Sequence, residues 1–159
     1  MNLTVSKSVF DYLYHHLADI HSRKMKIISC FAIDFDEYMK MLEYLKTYIH
    51  QFERFLGDVS VTGSKNTLPF VIYNCIVGLK STDGNENLMC CVTLPKEEPE
   101  SVWLIPNVSL LSCNEPFAFE LMLKRCGEKV EIERDGKLQK YTIKSIDPNP
   151  YIPFARQEA

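Results

Sequence analysis

VSLLSCNEPFAFELMLKRCGEKVEIERDGKLQKYTIKSI, residues Val108 to Ile146, is the stretch from which the rest of the chain is best read. An extended apolar segment, Trp103 to Leu111, leads into a turn at Ser112-Cys113-Asn114-Glu115-Pro116. From Phe117 to Cys126 the apolar residues Phe117, Leu121, Met122 and Leu123 recur at three- and four-residue spacings, which predicts a helix. Pro116 suits its first turn, where a missing N–H leaves nothing unsatisfied, and Gly127 suits its end. Val130 and Ile132 then alternate with charged neighbours up to Asp135-Gly136, a pair that tolerates the positive φ angles of a tight hairpin turn. Tyr141, Ile143 and Ile146 carry the returning strand.

Upstream the period is helical. Ser8 and Asp11 form a capping-box-like start, and Val9, Leu13, Leu17 and Ile20 follow at helical spacing, predicting a first helix from about Lys7 to Lys24. A second helix starts at the Asp34/Glu37 capping signature and carries an apolar stripe of Tyr38, Met41, Leu42, Leu45, Tyr48, Ile49, Phe52, Phe55 and Leu56 as far as Gly57. Such a stripe must be buried, and the nearest partner is the first helix, giving an antiparallel helical hairpin. The apolar connection 25–33 either extends helix one or folds back onto the bundle, and in both cases it requires cover. His15, His16 and His21 lack partners at metal-ligand spacing and read as solvated or interfacial side chains.

Residues 57–66 are small, polar and glycine-punctuated, and mark the domain boundary. Beyond it, Leu68 to Leu79 and Leu88 to Leu94 read as strands around the turn at 81–85, and 95–100 reads as an exposed loop. The expected organisation is a helical hairpin over 1–57, an antiparallel sheet domain of five strands and one short helix over 58–147, and an irregular tail over 148–159. The class is α+β.

With 46% hydrophobic and 25% charged residues among 159, the chain has an ordinary globular composition. A net charge of −3 argues against a protein that holds nucleic acid by neutralising phosphates over a broad basic face. The six cysteines, at 30, 75, 90, 91, 113 and 126, include no CxxC pair and read as buried reduced thiols. The chain shows neither a secretion-signal pattern nor an apolar run of the ~20 residues that span a bilayer, so a cytoplasmic location and no membrane partner are expected. Nucleophile-elbow, Walker, dinucleotide-binding and zinc-protease motifs are absent, so neither an enzyme, a cofactor nor a small-molecule substrate is expected.

The succession of strand, Ser…Pro loop, short helix, Gly-Glu and Asp-Gly hairpin resembles the C-terminal domain of the bacterial GreA/GreB transcript-cleavage factors, and the related regulator of nucleoside diphosphate kinase. The resemblance covers about ninety residues, 58–147. Pro116 falls on the family proline, Leu121-Met122 on its paired leucines and Gly127-Glu128 on its Gly-Asp. Cys113-Asn114-Glu115 is inserted between the serine and the proline, and Ala118 and Leu123 replace the two loop glycines.

The resemblance implies an FKBP-like sheet domain and binding to RNA polymerase at the rim of its secondary channel, with nucleic acid met only through the polymerase. It places Ser112, Pro116 and, as a neighbour, Glu115 on the docking loop. At the hairpin end, Asp34, Asp36 and Glu37 correspond to the acids that help hold a magnesium ion in the cleavage factors. The local alternative is that Asp34 and Glu37 cap helix two and all three acids complement its dipole. The shorter hairpin looks more like the regulator, which implies polymerase binding without strong cleavage stimulation. The alternatives are an interaction or scaffold protein that keeps the fold but not the binding, and a true cleavage-stimulating factor.

Overall fold

The computed structural model describes residues 3–31, 34–63, 67–84, 86–93, 107–112, 116–134 and 136–149. These fall into two compact units, the first ending at Gly63 and the second beginning at Thr67.

The first unit holds β1 (Leu3–Val5), α1 (Lys7–Phe31), α2 (Phe35–Gly57) and β2 (Val59–Val61). α1 starts where the periodicity predicts, but its cap is Ser6, whose Oγ accepts the Val9 amide at 3.2 Å. Asp11 instead pairs with Lys7 one turn away, at 3.0 Å. The helix runs past the expected end at Lys24 because the apolar connection continues it to Phe31, burying Ile27 and Ile28. Its 25 residues make it about 37 Å long at 1.5 Å per residue.

α2 is capped by Asp34, whose Oδ1 accepts the Glu37 amide at 2.8 Å. The two helices pack antiparallel: Tyr48 meets His16 at one level, and Tyr38 meets Met25 nearer the connection. Met41, Leu45, Tyr48 and Phe52 are buried at alternating four- and three-residue steps, the spacing of a coiled-coil seam. Tyr38, Leu42, Phe55 and Leu56, from the flanks of the expected stripe, are only half-buried. Burying the four seam side chains contributes about 2 kcal/mol each, against about 1 kcal/mol for the cap.

Two short strands join the ends of the hairpin, where the sequence predicted a tail and a loop. β1 and β2 run parallel, with Leu3, Thr4 and Val5 opposite Val59, Ser60 and Val61. Three residues are too few to display a strand period, so these elements exist through their pairing.

The second unit contains β3 (Ile76–Ser81), β4 (Asn87–Thr93), β5 (Ser109–Ser112), α3 (Pro116–Leu121), β6 (Lys129–Arg134) and β7 (Lys137–Asp147). The sheet order is β5-β4-β3-β7-β6, with α3 packed against β6. The α+β class and the five strands are as expected. One ladder differs: β5 runs parallel to β4, while the other three ladders are antiparallel. β6 and β7 pair from Lys129–Thr142 to Arg134–Lys137, leaving a two-residue connection with Gly136 at φ 77°.

The predicted strand from Leu68 is a second correction, because ladder pairing begins only at Ile76. Pro69 lacks an amide to donate and Asn74 turns the chain at φ 69°. The buried segment Leu68 to Cys75 satisfies its backbone elsewhere: Leu68 donates to Ile146, Val71 to Lys124 and Asn74 to Val92, at 2.7–2.9 Å. Farther along β3, Gly78 faces Ser145 at a register shift, and a Cβ on Gly78 would collide with Ser145 Oγ. Cys75, Cys90 and Cys91 are buried free thiols, as expected, and burial pushes Cys90 up to about 12; Cys126 is exposed.

His16 occupies a seam position of α1 between Leu13 and Ile20. It lies 3.0 Å from the Tyr48 hydroxyl and stacks on Phe52 at a centroid distance of 5.6 Å. This desolvation lowers its pKa from 6.5 to about 4, against the opposing pull of Asp19. A folded pKa below the unfolded one leaves stability intact above pH 6.5 and removes it as pH falls toward 4. The full shift corresponds to about 3 kcal/mol, but His16 keeps part of its surface in solvent, so about 1–2 kcal/mol is expected. Denaturant unfolding between pH 7 and 4.5 should show this loss in wild type and not in His16→Leu. An imidazole that titrates near 6.5 by NMR would rule the account out.

Candidate functional site: the hairpin end and the Ser112 to Pro116 loop

At the hairpin end, Asp34, Asp36 and Glu37 are all exposed. Asp34 is committed through Oδ1 to the Glu37 amide, in extended geometry with φ −139° and ψ 178°. Asp36 and Glu37 lie in the first turn of α2, beside the positive end of its dipole. Among the described residues, no group of three His, Cys, Asp or Glu side chains is placed to hold a metal ion.

The same end presents exposed apolar side chains. Phe35 is 74% exposed, and Met25 and Met39 are also exposed. Phe35 stands one position off the seam that passes through Met41, Leu45 and Tyr48, so the packing that buries those residues turns it outward. That offset is the sequence signal by which it could have been found. The cover expected over the connection 25–33 therefore extends to Ile27 and Ile28 but not to Met25.

On the second unit, β5 ends at Ser112, whose backbone pairs with Thr93 in the parallel ladder. Residues 113–115, and with them Glu115, lie outside the described residues. Pro116 opens α3 as expected, at the position where its missing N–H is harmless. Ala118 and Leu121 are fully buried, and Met122 nearly so.

α3 is shorter than predicted, ending at Leu121 instead of Cys126. Tertiary pairing takes over there: the Leu123 amide donates to the Val71 carbonyl and the Val71 amide to the Lys124 carbonyl, both at 2.8 Å. Leu123 adopts φ 65°, in the left-handed region. Gly127, at φ 90°, is the third residue of a turn closed by Glu128 donating to Arg125, and so enters β6 instead of ending the helix.

No protein-family model matches this sequence, and no curated protein matches it. Among solved structures the chain is similar to GreA factor homolog 1 (Gfh1) of Thermus thermophilus, at 14% identity and TM-score 0.40, over 92% of this chain and 99% of that one. It is also similar to the transcription elongation factor GreA/GreB of Nitrosomonas europaea, at 14% identity and TM-score 0.46, over 92% and 99%. A third such structure is Gfh1 of Thermus aquaticus, at 14% identity and TM-score 0.41, over 92% and 98%.

The φ of 65° at Leu123 is one that glycine adopts freely. A side chain in this region costs about 1–2 kcal/mol, which the burial of leucine offsets. Leu123→Gly and Leu123→Ala should both be less stable than wild type. Leu123→Gly should nevertheless exceed Leu123→Ala by about 1 kcal/mol in urea unfolding. The reverse order would mean that the backbone here is not held left-handed.

Proposed function

We propose that this chain binds RNA polymerase and modulates transcription in the manner of the GreA/GreB type, docking at the rim of the secondary channel without strongly stimulating transcript cleavage. The observation that carries the reading is where the family-like residues fall. Pro116 opens α3, Leu121 ends it with Met122 buried just beyond, Leu123 takes the positive φ of the missing glycine, and Gly127-Glu128 makes the turn into the β6–β7 hairpin. Three of these positions carry residues of the family's types, and at the fourth the backbone takes a conformation that a glycine would adopt freely. This agreement supports the fold of the docking domain, and the docking itself is the inference.

The second half of the proposal, weak cleavage stimulation, rests on the hairpin end. Asp34 already serves as the cap of α2, and Asp36 and Glu37 lie in its first turn, where they complement the helix dipole. The ring of Phe35 beside them makes the end partly apolar, which suits protein contact better than a hydrated metal site.

Pull-down with core polymerase is expected to capture the protein at about micromolar concentration. Pro116→Ala should weaken capture while changing stability by less than about 1 kcal/mol. Absence of binding at that concentration would sink the proposal. In stalled elongation complexes little acceleration of RNA cleavage is expected. Strong acceleration that Asp36→Ala or Glu37→Ala abolishes would retain the partner and overturn the claim about cleavage.

A further inference from the structure

The outer face of the second unit carries a cluster of cations that the proposed function does not use. A cleft of about 400 Å³ is lined by Lys80, Ser81, Thr82, Asp83, Gly84, Lys129, Thr142 and Lys144. Its floor follows from strand register. Thr142 on β7 lies opposite Lys80 on β3 and opposite Lys129 on β6, so one row across three strands reads Lys-Thr-Lys. The two lysine backbones are therefore about 10 Å apart, two strand spacings, and their side chains rise on either side of the threonine. Lys144, two residues farther along β7, adds a third ammonium from the same strand as the threonine.

One cation on the same face is neutralised, and these are not. One row along the sheet, Lys140 faces Glu131 at 3.8 Å. Among the described residues, Lys80, Lys129 and Lys144 have no carboxylate within ion-pair distance. The one carboxylate among the lining residues, Asp83, accepts the Ser81 hydroxyl at 2.6 Å, and Ser81 Oγ in turn accepts the Glu86 amide at 2.9 Å. This closes the Ser81–Gly84 turn on itself and draws Asp83 toward its own loop. Three unpartnered ammonium groups around one concavity repel one another, and an anion placed between them relieves that repulsion.

We propose that this cleft is an anion site for a small ligand bearing two or more linked phosphate groups. Lysine binds phosphate as a point charge, and several lysines at the margins of a cleft suit a group whose negative charges are spread over more than one phosphorus. The Ser81 and Thr142 hydroxyls and the Gly84 turn, at φ 80°, supply short polar walls. The lining contains no aromatic or large apolar side chain, so a base or ring would be left ungripped, and recognition would centre on the phosphates.

An extended nucleic acid strand fits less well. Its backbone needs a continuing basic track, whereas beyond Lys129 the same face of β6 presents Glu131 and Glu133. The whole chain is also acidic, at −3.

Titration of the full chain with inorganic pyrophosphate and tripolyphosphate, followed by amide NMR at fixed ionic strength, tests the proposal without polymerase. Saturating shifts confined to residues 80–84, 129 and 142–144 are expected, with tripolyphosphate binding more tightly than pyrophosphate and orthophosphate most weakly. Lys80→Gln, Lys129→Gln and Lys144→Gln should each weaken binding by up to about fivefold, the upper range for an exposed ion pair, with thermal midpoints unchanged. The triple variant should lose saturation, and the single variants preserve the test if it fails to fold. Shifts that do not saturate, that sulfate reproduces equally, or that survive the three substitutions would overturn the site. Tighter binding of a single-stranded oligonucleotide, with shifts spreading beyond the cleft, would overturn the small-ligand assignment.

Discussion

Val71 donates its amide to Lys124 and accepts the amide of Leu123, each at 2.8 Å, and much of the second unit follows from that reciprocal pair. The segment around Val71 is buried and outside any ladder, so its peptide groups need partners that a strand would otherwise supply. The end of α3 provides them. Helical bonding stops at Leu121, Leu123 enters the left-handed region, and the Arg125–Glu128 turn brings the chain onto β6. Without this clasp, the apolar run from Leu121 to Leu123 could extend the helix, as its periodicity alone predicts. The strain at Leu123 is thus the local consequence of satisfying a buried backbone, and the leucine side chain offsets part of it by remaining in the core.

In the first unit the controlling feature is the seam between α1 and α2. Apolar residues at alternating three- and four-residue steps keep facing the partner helix over the whole length of the hairpin. The periodicity buries His16 against Tyr48 and Phe52, and it also turns Phe35 outward beside Asp36 and Glu37. A titratable group inside the hairpin and a mixed apolar and acidic end outside it therefore share one origin. The first couples stability to pH, and the second is the end on which the proposed weakness of cleavage stimulation rests.

Local features were legible wherever one short stretch contained the whole physical cause. Asp34 caps α2 because a carboxylate three residues before an amide at a helix start can reach it, and Gly136 helps close β6 onto β7 because glycine accepts the positive φ. Pro116 at the head of α3 belongs to the same class. Of the candidate site, the exposure of Asp34, Asp36 and Glu37 agrees with their place at a helix start, while Glu115 lies outside the described residues. Phe35 was overlooked because a single apolar residue out of phase carries little weight beside a long stripe.

The amino-acid sequence by itself determined the helical hairpin, the five-strand succession after it and the caps and turns that separate them, since propensity and hydrophobic period act over a few residues. Only the tertiary structure decided that β1 and β2 pair, that β5 runs parallel to β4, that residues 68–75 stay out of the ladder, and that Lys80, Lys129 and Lys144 meet around one cleft. Each of these joins residues far apart along the chain. Strand direction, backbone partners and like-charge neighbours depend on which distant segments come together, and no local period encodes that choice.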